Sequence, residues 1–472
     1  MSIQQITIKT STKTVLADLH TPVGIYLRLR DQFRDTILME SAGNSGSDNN
    51  FSFIGINAIA GIEVKSGKSI EIKYPGQQPQ QFDFKAEDNL VDVIDEFMAH
   101  FKFENSDDLT KAAQGLYGYI SYDAIPFFEE INLETKDEDT IPLLRFRLYQ
   151  YVIAINHFTD EMHFIENNIE GLKSELNLIE KTLTQKNTII YPFELKDQES
   201  SNLSNDEYLS LVKEAQKHCN RGNVFQLVVS RRFQQAFNGD DFNVYRTLRS
   251  VNPSPYLFYY DYGDYKLFGS SPESQIIIKN NQAFMKPIAG TFKKTHNLEQ
   301  DLKLGEQLKA DAKENAEHTM LVDLARNDLS KYGYNTKVSK LKEIHHFSHV
   351  IHMVSEVVTD LKEHQKALPI IAATFPQGTL SGAPKYKAIE LIHELEPTSR
   401  QYYGGCIGYL GFDGSCNFAI MIRSFLSKNN ILTYQAGAGV VSKSIPENEL
   451  QEVDNKLGAL RTALKKAHNM YN

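Results

Sequence analysis

Two pairs of glutamates in the second half of the chain could bind a cation, because they are carboxylates and each pair has the same short spacing. Glu314 and Glu317 form one pair, and Glu449 and Glu452 form the other. The i, i+3 spacing would place both carboxylates of a pair on one side of a helix. Acids beside an apolar helix face are costly to bury unless a positive charge compensates them. The spacing alone leaves two alternatives, which are two solvated acidic helix faces or one shared divalent cation.

The residues around the pairs predict that both helix faces point inward. Leu321 and Leu324 share the face of the first pair, and the second pair borders an apolar stripe. That stripe consists of Val453, Leu457, Leu460 and Leu464. Lys456 comes one helical turn after Glu452, so it could pair with the acids or reach a bound anion.

Two long predicted helices, over residues 298–328 and 447–468, would position the glutamates. Ser204 and Glu207 form a capping box, which predicts a further helix from Asn205 to about Asn220. Other predicted elements are an exposed helix over 169–183, strands over 51–56, 149–155 and 223–230, and a hairpin of 256–260 with 265–268. Strands and helices come in runs rather than in alternation, which favours an α+β fold over a doubly wound parallel sheet.

Composition and charge exclude several classes of protein. The 472 residues carry a formal net charge of −10 without a basic stripe, which argues against a nucleic-acid partner. No apolar run approaches the ~18 residues that a membrane span needs, and the N-terminus lacks an apolar signal core. The three cysteines form no metal or redox pattern and fit a reducing compartment. We therefore expect a cytoplasmic protein that binds no membrane.

The chain divides into three predicted regions. Residues 1–157 form an N-terminal region with recurring strand-like stretches, and residues 205–468 form the region that carries the glutamate pairs. Between them, residues 158–204 have low hydrophobicity and clustered Ser and Asn, which is typical of a polar linker.

Several stretches of the second half resemble the chorismate-utilising enzymes and occur in that family's order. They are Gly269–Glu273, Lys286–Thr291, Glu317–Asp328, Gln377–Lys385, Tyr403–Tyr409, Ile422–Arg423 and Ala436–Gly439. The most similar subfamily is anthranilate synthase component I, which the first half also resembles in Leu38–Ala42, Phe51–Gly55 and Leu116–Asp123. The resemblance implies an α+β fold of two large antiparallel β-sheets packed face to face, with helices outside and an active site in a cleft between the layers.

The resemblance also implies that both glutamate pairs hold one Mg2+, which bridges to a carboxylate of chorismate. Oxygen ligands without His or Cys select a hard cation, which agrees with this assignment. We expect Glu317 and Glu452 to be the most direct ligands, and Glu314 and Glu449 to act directly or through water.

Chorismate is a dianion, so an acidic chain must build a local positive site for it. The resemblance assigns Arg423 and Tyr403 to the enolpyruvyl carboxylate, and the fork of an arginine suits a carboxylate. Gly437 and Gly439 would let backbone N–H groups approach an anion closely, although such a run also occurs in plain turns.

The implied reaction adds ammonia to C2 of chorismate with loss of the C4 hydroxyl, and then eliminates pyruvate to give an aromatic amine. Hydroxide is a poor leaving group, so the first step needs a general acid, and Glu273 matches the family's candidate if burial raises its pKa. Lys456 is expected beside it as a catalytic residue, and Thr291 and Thr379 are expected to hydrogen-bond the substrate. His352 is either a site residue and a candidate base for the second step, or a satisfied core histidine.

Two positions distinguish the subfamilies by their chemistry. Members that add water carry Lys where this chain has Gln226, which cannot activate water, so ammonia is favoured. Aminodeoxychorismate synthases carry a Lys that can attack C2 where this chain has Ala289. The resemblance therefore implies the anthranilate synthase large subunit, with aminodeoxychorismate synthase component I or a non-catalytic chorismate-fold binding protein as alternatives.

Three stretches match the tryptophan-inhibition pocket of the subfamily. Their candidate residues are Glu40, Ser41, Pro255, Tyr256, Leu257, Ile407 and Tyr409. Leu257 stands where Met is common, a change that conserves volume. The alternative is that Pro255 only shapes a turn and Tyr256 only fills the core. We expect feedback inhibition by tryptophan, in mutual antagonism with chorismate.

No stretch of this chain resembles a glutaminase, so the resemblance implies a separate glutamine amidotransferase subunit, component II, as the ammonia source. Cys406 lies in a stretch that matches the substrate site and not a nucleophile elbow. We expect a heterotetramer of two large and two small subunits.

Overall fold

The structure is a computed structural model that describes residues 5–41, 51–65, 69–85, 88–134, 136–137, 141–185, 188–295, 297–346 and 350–470, apart from the side chains of Thr291 and Lys293. Its strands are β1 (Ile6–Leu16), β2 (Thr36–Glu40), β3 (Phe51–Val64), β4 (Ser69–Lys73), β5 (Gln80–Asp83), β6 (Phe101–Phe103), β7 (Gly115–Ile120), β8 (Leu144–Asn156), β9 (Glu161–Asn168), β10 (Phe193–Leu195), β11 (Ser200–Ser201), β12 (Gln226–Gly239), β13 (Tyr256–Asp261), β14 (Tyr265–Ser271), β15 (Ser274–Lys279), β16 (Gln282–Met285), β17 (Ile288–Lys293), β18 (Tyr334–His346), β19 (Val350–Asp360), β20 (Gly382–Ala383), β21 (Cys406–Gly411), β22 (Cys416–Ile420), β23 (Ser424–Lys428) and β24 (Ile431–Val440). Its helices are α1 (Pro22–Leu29), α2 (Leu90–Ala99), α3 (Leu176–Leu183), α4 (Asn205–Asn220), α5 (Phe242–Val251), α6 (Leu298–Ala310), α7 (Ala312–Ser330), α8 (Ala367–Thr374), α9 (Lys385–Leu395) and α10 (Pro446–His468). Short 3-10 helices cover Thr110–Ala113, Tyr122–Phe127 and Gly378–Leu380.

Two large sheets grow out of one pair of long antiparallel strands, β3 and β8. In the first sheet, β2 pairs with β3, and the sheet continues through β13, β14, β23 and β24 to β12. In the second sheet, β7 pairs with β8, and the sheet continues through β21, β22, β15 and β16 to β19. A register shift between Ala58 and Ala60 interrupts β3 between the part that pairs with β2 and the part that pairs with β4. The two sheets therefore share their β3–β8 pair.

Three large apolar clusters fill the layers. One lies between the two sheets and contains Tyr119, Tyr260, Ile407 and Leu426. A second covers the outer face of the first sheet with residues of α1, α4, α5 and α10, and a third covers the outer face of the second sheet with residues of α2, α7 and α8. The predicted fold class, two antiparallel sheets face to face with helices outside, is confirmed.

The helix predictions are confirmed at the caps and differ where the chain changes direction. Helix α4 has the predicted capping box, because Ser204 Oγ accepts from Glu207 N at 3.2 Å and Glu207 Oε2 accepts from Ser204 N at 2.7 Å. The helix predicted over 298–328 is two helices, because Asp311 is extended and caps α7 by accepting from Glu314 N at 2.9 Å. The helix predicted over 169–183 is the shorter α3.

The segment 158–204, predicted as a polar linker, contributes strands to the sheets. Strand β9 lies between β1 and β8, and β10 and β11 pair with β12. Some of its polarity serves internal hydrogen bonds, since the fully buried Asn167 donates to the carbonyls of Ala113 and Tyr149. Low hydrophobicity here therefore does not mean solvent exposure.

Within the described ranges, no helix is long and apolar enough to cross a lipid bilayer.

Candidate active site

The buried carboxyl of Glu273 is the first feature of the site. Glu273 lies between β14 and β15 and is 6% exposed. Its Oε1 accepts a hydrogen bond from Thr379 Oγ1 at 3.1 Å. Burial raises the pKa of Glu273 to about 8, although the Thr379 hydrogen bond and the charges of Lys456 and Arg423 lower it. This carboxyl is therefore mostly protonated at neutral pH, with two cations nearby.

Those two cations are held by different elements. Lys456 lies on α10 and pairs with Glu452 Oε1 at 2.6 Å. Arg423 lies between β22 and β23 with φ of 52°, a left-handed conformation that costs a non-glycine residue energy and that is found at functional sites. Burial lowers the pKa of its guanidinium, and Tyr403, Glu452 and Glu273 oppose that shift. Arg423 therefore faces both the general-acid candidate and one of the paired glutamates.

The two glutamate pairs approach the same site from two helices and form what we call the acidic wall, which consists of Glu314 and Glu317 of α7 and Glu449 and Glu452 of α10. Burial raises the pKa of Glu314, and the charges of Glu317 and Glu452 raise it further. Burial also raises the pKa of Glu449, and the charge of Glu452 adds to that shift. In the part of the chain that the structure describes, no three His, Cys, Asp or Glu side chains form a group that could hold a metal ion. The acidic wall is thus an open set of mutually repelling carboxylates.

Strands β12 and β24 place Gln226 against the acidic wall. Gln226 is 3% exposed, and its Nε2 donates to Glu317 Oε1 at 3.1 Å. A Cβ on Gly439 would lie 2.5 Å from Gln226 Nε2, and a Cβ on Gly437 would lie 2.8 Å from the Val229 carbonyl oxygen. These glycines therefore make room for Gln226 and for the β12 backbone. Their predicted contact with an anion stays a prediction.

His352 and Tyr403 lie next to these groups. The Nδ1 of His352 donates to the Gly290 carbonyl at 2.9 Å, so the proton is on Nδ1, and burial lowers the pKa of the ring. A Cβ on Gly290 would lie 3.0 Å from Glu314 Oε2, so both His352 and Glu314 lie next to this glycine. Tyr403 is 4% exposed, and burial raises its pKa to about 12, so its hydroxyl is neutral. The side chain of Thr291 lies outside the described residues.

The stretches predicted to bind tryptophan meet in space. Strands β2 and β13 pair so that Glu40 stands opposite Leu257. Across the layers, the hydroxyl of Tyr260 on β13 donates to the Gly408 carbonyl on β21 at 3.2 Å. Ser41 and Pro255, near the ends of β2 and β13, are half-buried.

The candidate tryptophan residues nevertheless lie on opposite sides of the first sheet, some on its outer face and others in the layer between the two sheets. On the outer face, Glu40 accepts from Tyr245 OH at 2.7 Å and from Arg249 Nε at 3.0 Å, both on α5. Leu257 belongs to the cluster on that face. Tyr256, Ile407 and Tyr409 belong instead to the cluster between the sheets or pack against it. The structure brings the strands together but separates these side chains.

Two residues next to the glutamate pairs, Asp311 and Lys313, were not predicted from the sequence. Asp311 caps α7 directly before the first glutamate pair, and the signal for it was an N-cap residue three positions before Glu314. The charge of Lys313 lowers the pKa of both Glu314 and Glu449. No pattern in the sequence indicates that Lys313 acts on α10.

Comparisons with known proteins identify the family of the chain. A protein-family model described as a chorismate binding enzyme matches residues 39–462. A protein of Aquifex aeolicus named anthranilate synthase component 1 is 35% identical over 472 residues, which cover 96% of this chain and 93% of the relative. The crystal structure of anthranilate synthase component I from Streptococcus pneumoniae TIGR4 superposes with a TM-score of 0.75 at 32% identity, covering 95% of this chain and 99% of that one. The menaquinone-specific isochorismate synthase of Escherichia coli shares the fold, with a TM-score of 0.74 at 19% identity over 97% of this chain and 95% of its own. The chain therefore belongs to the family of chorismate-binding enzymes.

Proposed function

We propose that this chain converts chorismate and ammonia into anthranilate, pyruvate and water. The observation that carries the proposal is the buried Glu273, whose pKa of about 8 keeps it protonated beside Arg423 and Lys456. Relatives that are 32–35% identical to this chain carry the name anthranilate synthase component 1 or I, which supports anthranilate as the product.

Substrate binding would use the two cations of the site. Arg423 and Tyr403 would hold the enolpyruvyl carboxylate, because a guanidinium fork matches a carboxylate and the neutral tyrosine hydroxyl can donate a hydrogen bond. Lys456 is anchored to Glu452 and to the Gly437 carbonyl at 2.8 Å, so its ammonium group stays on the Glu273 side of the site.

In the first step, the nitrogen of ammonia forms a bond to C2 while the ring double bonds shift and the C4–O bond breaks. Glu273 gives its proton to the departing hydroxyl, which leaves as water. Thr379 donates to Glu273 Oε1 and so fixes the direction in which the acid points. In the second step, C2 loses its proton and the bond between C3 and the enolpyruvyl oxygen breaks, which leaves the aromatic ring. The enolpyruvate that departs takes up the proton that the added ammonium nitrogen gives up, and becomes pyruvate. Glu273, now ionised, and the neutral His352 are the candidates for accepting the C2 proton.

The alternatives differ at two positions. The amide of Gln226 is not basic, so it cannot deprotonate water to make isochorismate. Its Nε2 donates a hydrogen bond to Glu317. Ala289 is 8% exposed and offers no nucleophile, which disfavours an aminodeoxychorismate synthase that forms a covalent intermediate. Both residues support ammonia as the direct nucleophile and anthranilate as the product.

The acidic wall fits a hydrated Mg2+. Its four donors are all carboxylates, and burial together with the charges of neighbouring glutamates raises the pKa of Glu314 and Glu449, so a bound cation would favour their ionised forms. Mg2+ keeps waters and takes only one or two protein carboxylates together with substrate oxygens, so it needs no closed cage of side chains. When bound, the ion would neutralise the charge between the wall and a substrate carboxylate. We propose Glu317 and Glu452 as the direct ligands, with Glu314 and Glu449 close behind.

Feedback inhibition by tryptophan is part of the proposal. The contact between Tyr260 and Gly408 and the pairing of β2 with β13 support a pocket between the sheets, with Leu257 outside it on the outer face of the first sheet. Glu40 is already bound by α5, so its part would be to fix the end of β2, next to Ser41. Introducing Ser41→Phe should reduce inhibition by tryptophan without changing turnover. Equal tryptophan inhibition in this variant and the parent would contradict the pocket.

A second component would supply the ammonia. The relatives' name, component 1, supports a partner, and we propose a glutamine amidotransferase subunit. The purified chain should then use ammonium salts but not glutamine until that partner is added. Glutamine-dependent turnover by the chain alone would refute the need for it.

Product analysis tests the central proposal. The purified chain is incubated with chorismate, Mg2+ and ammonium, and products are separated and identified by chromatography and by the fluorescence of anthranilate. We expect anthranilate and pyruvate in equal amounts. Isochorismate, aminodeoxychorismate as the final product, or unreacted chorismate would each overturn the proposal, and Glu273→Gln serves as the inactive control.

A further inference from the structure

A buried ion pair lies behind the candidate active site. Arg400 is 2% exposed and Glu396 is 4% exposed. Two hydrogen bonds join them, from Arg400 Nε to Glu396 Oε2 at 2.8 Å and from Nη2 to Oε1 at 2.6 Å. The i, i+4 spacing of an acid and an arginine is the signal for this pair in the sequence, from which it was not predicted.

The pair binds the strand that carries Gln226. Arg400 Nη2 donates to the Val228 carbonyl at 2.8 Å, two residues along β12 from Gln226. Glu396 Oε1 accepts from both the backbone N and the hydroxyl of Ser230, each at 2.7 Å. The ion pair therefore forms hydrogen bonds with the backbone of β12 at Val228 and at Ser230.

The same guanidinium also binds the segments that carry Thr379 and Tyr403. Its Nη1 donates at 2.5 Å to the carbonyl of Leu380, the residue after Thr379. The backbone carbonyl of Arg400 accepts a hydrogen bond from Tyr403 N at 3.1 Å, and the Cζ atom of its guanidinium lies 5.8 Å from the centre of the Tyr403 ring. Since Thr379 holds Glu273, one arginine is linked to the general-acid candidate and to a substrate-binding residue.

We propose that Arg400 and Glu396 are a positioning pair for the reaction, which set the relative placement of Gln226, Thr379 and Tyr403 without touching the substrate. The inference rests on the proposed function for its turnover readout. A planar guanidinium can serve the Glu396 carboxylate and two backbone carbonyls at once, whereas an ammonium group at the same place is too short and not forked. A buried ion pair often adds little net stability, because removing both charges from water costs free energy. A positioning role explains the presence of this pair better than a stabilising role does.

The test compares Arg400→Lys with Arg147→Lys. Arg147 is a matched control because it is also nearly buried and because its ion-pair partners, Glu63 at 3.0 Å and Asp35 at 3.5 Å, lie outside the segments that carry Gln226, Thr379 and Tyr403. We expect Arg400→Lys to lower kcat about 100-fold, the size of effect that a misplacement of about 1 Å can have, with a smaller change in KM for chorismate. The control variant should keep the parental kcat.

A second readout separates positioning from folding. The Thr379 hydrogen bond lowers the pKa of Glu273, so loosening Thr379 should move the alkaline limb of the kcat/KM profile to higher pH. Carbon-13 NMR of labelled glutamate carboxyls, with Glu273→Gln used to assign the signal, should show the same shift and does not depend on turnover. A folded Arg400→Lys variant with parental kcat and an unmoved Glu273 titration overturns the proposal.

A milder variant covers the case in which Arg400→Lys does not fold. Ser230→Ala removes one hydrogen bond to Glu396 and should lower kcat about tenfold, with a smaller shift of the Glu273 titration in the same direction. Parental values for both measurements in Ser230→Ala overturn the proposal. Absence of anthranilate from the parent chain counts against the proposed function, whereas an active parent with unaffected variants counts against the positioning pair alone.

Discussion

The protonation of Glu273 should set the pH dependence of turnover. With a pKa of about 8, ~90% of this carboxyl carries its proton at pH 7, whereas an ordinary carboxyl at 4.5 would be ~0.3% protonated. Burial therefore makes about 300 times more of the acid form available at neutral pH. We expect kcat/KM for chorismate to be flat below the pKa and to fall about tenfold per pH unit above it.

The assay is kcat/KM from pH 6 to 10, with saturating Mg2+ and a constant concentration of free ammonia. Free ammonia must be held constant because its own titration would otherwise hide the limb of the enzyme. Glu273→Gln has nearly the same shape but no proton to give, so it should lose at least 100-fold in kcat. A profile without an alkaline limb, or a Glu273→Gln variant with a tenth of parental turnover, would refute the reasoning.

The same pKa makes the stability of the fold depend on pH. The folded chain binds this proton more tightly than the unfolded chain, so the stability it contributes is complete below about pH 4.5 and is lost as the pH rises through about 8. The full shift corresponds to roughly 5 kcal/mol. Glu273→Gln should therefore be more stable than the parent at pH 9 and similar to it near pH 4.5, as urea unfolding can measure. Equal stability of the two chains at pH 9 would contradict the raised pKa.

Three further predictions concern other parts of the site. Replacing Glu317 with Gln should weaken Mg2+ binding at least tenfold, as measured by calorimetry, because a charged donor is lost. Glu447 is an exposed residue of α10, and the control variant Glu447→Gln should bind Mg2+ as the parent does. Glu40→Ala removes the acceptor of two hydrogen bonds from α5, so it should cost about 1–3 kcal/mol of unfolding free energy and abolish tryptophan inhibition; full inhibition in the variant would separate Glu40 from the pocket. Asp311→Ala should cost about 1 kcal/mol through loss of the α7 cap and weaken Mg2+ binding by displacing Glu314, and unchanged Mg2+ affinity would show that the cap does not position the acid.

Local patterns in the sequence predict the elements that are decided locally. The capping box at Ser204 and the apolar stripe around Val453 depend on neighbouring residues, and both are present as predicted. The helix break at Asp311 was missed because an Asp within a helical pattern can be tolerated or can cap a new helix, and tertiary packing decides between them. The polar segment 158–204 was misleading because strand pairing buries residues such as Asn167 whose polarity is satisfied internally.

The site shows the same division. The i, i+3 spacing predicts that each glutamate pair shares a helix face, but only the resemblance to a family predicts that two helices so far apart in the chain meet. The role of Glu273 also depends on the fold, because its raised pKa comes from burial that no local pattern specifies. The spacing of Glu396 and Arg400 indicates at most an ion pair, and the positioning role also depends on the backbone carbonyls of Val228 and Leu380, which leave no trace in residue types.

The β3–β8 pair constrains how this enzyme can move. Because both sheets contain β3 and β8, we expect that a large change in the angle between the sheets would break hydrogen bonds of these strands. If the sheets keep their angle, we expect small movements of α7 and α10, which carry the acidic wall, to control access to the site. We therefore expect coupling between distant sites in the two sheets to depend on side-chain rotations and small displacements of single strands, and not on a large movement of one sheet relative to the other.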